Sequence, residues 1–307
     1  MSQAPVARLQ NVTKRIGGRT IIDRVSLDVY PGEVFGFLGP NGSGKTTTIR
    51  MMVGLMSLTS GDISIGGHSV RTEYPRAAEQ VGAIVENPEM YKFLTGYQNL
   101  VHFARMNSSV TKERIDEVVK LVGLSGRIHD KVKKYSLGMR QRLGVAQAVM
   151  HRPKLLILDE PTNGLDPAGI RELRDYLRQL AREEGISVFV SSHLLSEMEL
   201  MCDRVAILQK GQIIDIRSIR GQAGEAVQQT EEALFDVDRP EAALGALQGE
   251  WSGYVADGRL VLSADRNAIA EANRRLVEAG IRVYGIRAKT KSLEDQFLEV
   301  TGSETND

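Results

Sequence analysis

The sequence has almost nothing that could staple it covalently. Cys202 is the one cysteine in 307 residues, so an internal disulfide framework is excluded, and no Cys/His cluster shows zinc-ligand spacing. A lone thiol fits a reducing compartment, and the cytoplasm is the expected one. Long apolar runs are also missing. Val34 to Leu38 and Leu155 to Leu158 are broken by glycine or charge far short of the roughly 18 residues that a spanning helix needs, so the chain is not expected to cross a bilayer. No apolar block of signal-peptide length follows Met1-Ser2-Gln3-Ala4-Pro5, and export is not expected. Neither charge is in excess. Lys plus Arg total 39, as do Asp plus Glu, which removes any general attraction for nucleic acid. With 9 prolines, 42% hydrophobic and 25% charged residues, the composition is that of a folded chain, about two average domains long.

What is present is alternation of short apolar strands with amphipathic helices. Polar and apolar residues alternate from Ser26 to Tyr30, Pro31-Gly32 turns the chain, and Val34 to Leu38 reads as a buried strand running into a glycine loop. A helix is expected from Lys45 through Met52. Ile115, Val118, Val119 and Val122 recur at helical spacing up to Gly123, as do Leu143, Ala146 and Val149 before Pro153. Leu155 to Leu158 is a short apolar strand ending in acids. Ile170, Leu173, Leu177 and Leu180 mark a further helix that Gly185 ends, and Ile186 to Val190 reads as a strand delivering Ser191, Ser192 and His193. Such alternation predicts an α/β fold with a mostly parallel sheet, ligands lying beyond the strands' carboxyl ends. A polar run between Ser218 and Glu232 is read as a boundary, dividing a domain over 1–219 from an α/β domain over 220–307 that includes strands near Arg259 to Leu262 and Arg282 to Ile286.

Gly39-Pro40-Asn41-Gly42-Ser43-Gly44-Lys45-Thr46 matches G-x-x-x-x-G-K-[ST] between a predicted strand and helix, the context this phosphate-binding loop needs. The glycines let backbone N–H groups turn inward around a β-phosphate, and the helix N-terminus adds a positive dipole. Lys45 would bridge β and γ oxygens, and the Thr46 hydroxyl would ligate Mg2+; Thr47 is grouped with the nucleotide-binding residues. Asp159, at the end of the acidic strand, would hold a magnesium-bound water, while Glu160, pointing differently, would face an attacking water. The plainer alternative leaves Glu160 as an ordinary loop carboxylate.

Three further stretches narrow the class. Tyr135-Ser136-Leu137-Gly138-Met139-Arg140-Gln141-Arg142-Leu143, then Asp159-Glu160-Pro161, then Gly164-Leu165-Asp166-Pro167 and Ser192-His193 follow the glycine loop in order. In order and separation these motifs resemble the ATP-binding subunits of ABC transporters over about the first 215 residues. The resemblance implies an ABC-ATPase core with an antiparallel β subdomain and a helical subdomain at about 86–150. It also implies that two copies pair head to tail, with ATP between the loop of one and the signature residues Ser136 and Gly138 of the other. Asp166 resembles the aspartate that crosses between subunits, and His193 the switch histidine that contacts the γ-phosphate. Read alone, Tyr135 to Leu143 is an ordinary capped helix to which Arg140 and Arg142 add local charge, Asp166 precedes a simple turn, and His193 is structural.

Departures from the family pattern are informative. Glu86 stands where a glutamine is expected; its carboxylate can still ligate metal, although added charge near phosphates would slow nucleotide binding. Ile16 occupies the place of an aromatic adenine platform and forgoes a ring-stacking gain of about 0.5 to 1.5 kcal/mol. Met139 in the signature, and Ser292-Leu293-Glu294-Asp295-Gln296-Phe297-Leu298-Glu299 near the end, resemble the bacitracin- and daunorubicin-type exporters of drugs and peptide antibiotics. That branch implies ATP hydrolysis driving export through a separate transmembrane permease, with this chain peripheral on the cytoplasmic face of the membrane. Met90, Tyr91, Phe93 and Leu94 are candidates for the permease groove or simply core. The rival readings are a soluble ATPase that remodels a ribosome or nucleic acid, and a sensor ATPase with a ligand-binding carboxyl-terminal domain.

Overall fold

Residues 7–29 form a long hairpin whose register shifts three times. β1 (Ala7–Ile16) and β2 (Arg19–Val29) pair antiparallel, but Asn11 and Arg24 adopt left-handed backbone angles, φ 48° and 49°, and the register slips beside them. The computed structural model describes residues 3–219, 231–247 and 251–289, and the chain divides into two compact units, residues 1–220 and 221–307.

In the first unit, every position of β3 (Val34–Leu38) is buried, as a strand covered on both faces requires, and the glycine loop carries it into α1 (Lys45–Met52). β4 (Ser60–Ile65) and β5 (His68–Ser69) complete an antiparallel sheet of order β2-β1-β4-β5. After α2 (Tyr74–Ala78) and β6 (Val81–Ile84) the chain turns helical: α3 (Gly96–Ala104), α4 (Lys112–Leu121) and α5 (Leu137–Val149). Thr95, Thr111 and Ser136 cap these three helices through their hydroxyls, and Gly123, at φ 65°, follows the end of α4. Buried Arg114 closes the far end of α5, donating to the carbonyls of Met150 and Val149 at 3.2 and 3.1 Å.

β7 (Leu155–Leu158), α6 (Pro167–Glu183), β8 (Ser187–Ser192), α7 (Leu195–Met201), β9 (Arg204–Gln209) and β10 (Gln212–Ser218) finish the unit. The six-stranded sheet has order β10-β9-β3-β8-β7-β6, parallel except for β10. Phe35 and Phe37 meet Phe189 at ring separations of 5.8 and 5.3 Å and fix β3 beside β8. Sequence patterning expects β8 over 186–190; pairing with β3 instead carries it on to Ser192, opposite Leu38, so both serines belong to the strand and His193 is the first residue beyond it. The carboxyl ends of β3, β7 and β8 therefore lie side by side.

The second unit is a four-stranded antiparallel sheet with two helices. β11 (Glu231–Val237), α8 (Pro240–Leu247), β12 (Ser252–Ala256), β13 (Arg259–Ala264), α9 (Arg266–Glu278) and β14 (Val283–Lys289) give the order β12-β13-β11-β14. Phe235, Leu260 and Leu262 from the sheet meet Leu247, Ala272 and Leu276 from the helices in one core. The stretch Ser292 to Glu299, which carries the resemblance to the exporter tail and read alone is an amphipathic helix, lies outside the described residues.

Candidate functional site

The glycine loop, 39–44, is built by constraints on both of its sides. The Gly39 N–H donates to the Ser192 carbonyl at 3.2 Å and the Ser43 N–H to that of Pro40 at 3.1 Å. A Cβ on Gly39 would come within 2.4 Å of the Leu208 carbonyl and 2.6 Å of Ser43 Oγ, and Gly44 has φ 109°. On the outer side, the β9–β10 turn holds the loop: the Gly211 N–H donates to the Ser43 carbonyl at 3.0 Å, and the Asp23 N–H to that of Gly211 at 2.8 Å. Pro40, Asn41 and Gly42 are exposed, and Thr46 and Thr47 are half-buried in the first turn of α1.

Two observations fit an anion here. Ser43 Oγ is buried with no hydrogen-bond partner, and Gly44 offers α1 no side-chain cap, leaving first-turn N–H groups open to a ligand. Lys45 is only 5% exposed. Its Nζ donates to the carbonyls of Gly39 and Pro40 at 2.7 and 3.3 Å and lies 3.1 Å from Glu160 Oε1.

β7 and β8 bring the acids and the histidine to the same edge. Asp159 is buried, and its Oδ1 accepts the Ser191 hydroxyl at 2.6 Å. The same hydroxyl accepts the Glu160 N–H at 2.9 Å, which secures Glu160 at φ 49°, a left-handed conformation that costs about 1 to 3 kcal/mol. Glu160 Oε2 lies 2.8 Å from His193 Nδ1 while Oε1 faces Lys45. Lys45, Glu160 and His193 thus converge from three segments of one chain, and Asp159 is tied through Oδ1 to Ser191. Ser191 and Gly211 are missed by the sequence reading as organisers of the site; the available signal is the pair of hydroxyls closing an otherwise apolar strand.

Ser136, Gly138 and Asp166 stand apart from that convergence. Ser136 Oγ accepts the Met139 N–H at 3.2 Å and Asp166 Oδ1 that of Gly169 at 2.8 Å, each as an N-cap of its own helix. The two helix starts are neighbours, since a Cβ on Gly138 would lie 3.7 Å from Leu165 Cδ2. The charge expected from Arg140 and Arg142 is used internally: Arg140 donates to the Tyr135 carbonyl at 2.7 Å and Arg142 lies 3.6 Å from Glu172.

Glu86, expected as a metal ligand, is 62% exposed, has φ 69° and pairs with Arg50 at 2.5 Å. Among the described residues no group of three His, Cys, Asp or Glu side chains is arranged to hold a metal ion. Ile16 ends β1 with its side chain exposed. Of the four groove candidates, Met90 is buried and Leu94 half-buried, whereas Tyr91 and Phe93 are exposed. The Tyr91 ring lies 5.8 Å from Phe93, 5.1 Å from His102 and 6.5 Å from Phe103.

Residues 22–163 match the family described as ABC transporter. Over 297 residues the chain is 58% identical to the uncharacterized ABC transporter ATP-binding protein YhcH of Bacillus subtilis (strain 168), covering 97% of this chain and 96% of that one. It is 36% identical over 300 residues to the bacitracin transport ATP-binding protein BcrA of Enterococcus faecalis, again covering 97% and 96%. The solved structure of cbiO1 from Clostridium perfringens, part of the ABC transporter complex cbiONQ, matches with a TM-score of 0.66 at 25% identity, over 71% of this chain and 90% of that one. Kinship of this degree, running through both units, places the chain in the family of ABC transporter ATP-binding proteins, enzymes that hydrolyse ATP.

Proposed function

We propose that this chain energises export of a drug, peptide antibiotic or lipid-like compound as a homodimer bound to a separate transmembrane permease on the cytoplasmic face of the membrane. The observation that carries the reading is the convergence of Lys45, Glu160 and His193 on one sheet edge while Ser136 and Asp166 cap helices elsewhere. One chain holds a loop, a base and a histidine; the complementary signature residues would come from a second copy.

The Lys45 ammonium faces Glu160. A triphosphate entering the loop would take over Lys45, and Glu160, released on that side but still against His193, would orient or deprotonate the attacking water. A positioned base of this kind contributes typically 10² to 10⁴ in rate. Thr46 and Asp159 offer hard oxygen donors of the type Mg2+ takes, the remaining positions going to phosphates and water, which is why no all-protein cage is required. Bound there, Mg2+ would offset charge on the phosphoryl oxygens. Glu86 would join it only by giving up Arg50. ATP touching both copies only in the closed dimer favours closure by its differential affinity, and hydrolysis removes that bias.

Among the described residues no helix is long and apolar enough to cross a membrane. The exposed Tyr91 and Phe93 cluster is a suitable seat for a cytoplasmic segment of the permease. The bacitracin-transport relative supports the substrate class, and selectivity would reside in the membrane subunit. Residues 220–307 would serve as an accessory domain. The neutral net charge argues against a nucleic-acid partner. The test is recovery of the full-length chain from detergent-solubilised membranes: a multi-spanning protein should accompany it and be lost from the Tyr91→Ala/Phe93→Ala variant. Recovery of the chain with no membrane protein would contradict the reading.

A further inference from the structure

Behind the Glu160–His193 pair lies a buried polar cluster that neither the loop nor the acids account for. Glu197, in the first turn of α7, is 8% exposed, and Thr162 and Ser192 beside it are buried as well. No Lys, Arg or His among the described residues forms an ion pair with this carboxylate. A buried carboxylate without a cation is costly unless hydroxyl or N–H donors replace water, and helix first turns favour negative charge. Here the donors are two hydroxyls on one oxygen: Thr162 Oγ1 donates to Glu197 Oε2 at 2.7 Å, and Ser192 Oγ to the same atom at 3.1 Å.

The two donors come from the segments that carry the reacting pair. Thr162 belongs to the turn that begins at Glu160, closed by Asn163 N–H to the Glu160 carbonyl at 3.2 Å and Leu165 N–H to the Thr162 carbonyl at 3.0 Å. Ser192 immediately precedes His193, and its hydroxyl also accepts the Leu194 N–H at 3.0 Å, so a single side chain spans the histidine. Successive serines on β8 thus serve different partners: Ser191 holds Asp159 and Glu160, and Ser192 ties to Glu197.

We infer that Glu197 is a positioning residue: by accepting one hydroxyl from the Glu160 turn and one from the His193 strand end, it holds the base and the histidine in register. The inference rests on the roles given to Glu160 and His193 above. Its effect falls on the chemical step, because both hydroxyls come from the Glu160 and His193 segments while the loop meets Ser192 through its backbone carbonyl, held by the β3–β8 pairing, and a misplacement of about 1 Å at a reacting pair costs on the order of 10²-fold in rate.

The experiment is steady-state ATP hydrolysis by the full-length chain and its Glu197→Ala, Glu197→Gln, Thr162→Val and Glu160→Gln variants, with melting temperatures measured in parallel. Glu197→Ala should lower kcat by about 10²-fold and leave KM for ATP within about threefold. Glu197→Gln keeps a carbonyl oxygen that accepts both hydroxyls and should restore kcat to within about tenfold of wild type. Thr162→Val should lower kcat alone but add nothing in the Glu197→Ala background, as expected of two residues in one contact. Should Glu197→Ala not fold, the milder Thr162→Val carries the test through its kcat-against-KM split. Wild-type turnover in Glu197→Ala, equal losses in kcat and KM, or a Gln variant no better than Ala would overturn the inference. Full turnover in Glu160→Gln would instead overturn the underlying reading, so the two failures are distinguishable.

Discussion

The proposed nucleotide site draws on two kinds of polar residue, one set assembled across the sheet edge and one displayed on helix starts, and they differ in how their groups are satisfied. Lys45, Asp159, Glu160, Ser191 and His193 bond to one another across segments far apart in sequence, and most are buried. Ser136 and Asp166 bond only within the helix starts they cap. A group whose hydrogen bonds are long-range is placed by the whole sheet; a capping group is placed by its own helix and keeps a lone pair for a visitor. The first arrangement suits a reaction centre, and the second suits a surface that meets its ligand only when another copy arrives.

The sharpest way to break that contrast is Glu160→Gln, which should cut steady-state turnover by 10² to 10⁴ with the fold intact by circular dichroism; a variant that still turns over ATP would remove Glu160 from the centre. Ser136→Asp sharpens the other side. Aspartate is as good an N-cap as serine, so the melting temperature should hold, while a negative charge facing a γ-phosphate should cost about 10²-fold in turnover. An active Asp variant would leave Ser136 as a helix cap and nothing more. Gly211→Ala tests the outer buttress of the loop: at φ 80°, with the new Cβ 2.1 Å from the Ile21 carbonyl, it should destabilise by at least about 1 to 2 kcal/mol in a denaturant titration and weaken ATP binding through Ser43. Phe93→Ala is the mildest. At 67% exposure its stability should stay within about 0.5 kcal/mol of wild type, and a larger loss would make the aromatic cluster part of the core.

How much of this was legible follows the range of the interactions. β3, the glycine loop and α1 can be read directly because a strand buried on both faces leaves an unbroken apolar run and the loop has its own glycine spacing. The β1–β2 hairpin cannot, since the bulges at Asn11 in β1 and Arg24 in β2 displace the alternation on which strand recognition depends. The convergence of Lys45, Glu160 and His193 is anticipated from the strand ends and glycine loop that carry them, and the role of His193 from the family pattern; no local periodicity relates residues so distant. Ser191, Thr162 and Glu197 escape for the same reason, as a buried hydroxyl or carboxylate looks identical in sequence to an exposed one until its partner is known. Arg50 likewise supplies a partner for Glu86 that spacing alone does not suggest.

The central claim, that two copies close on ATP and part after hydrolysis, is tested most directly by the solution mass of Glu160→Gln in analytical ultracentrifugation with Mg-ATP and with Mg-ADP. The account predicts a dimer in Mg-ATP and a monomer in Mg-ADP. A protein that sediments as a monomer in saturating Mg-ATP would contradict it.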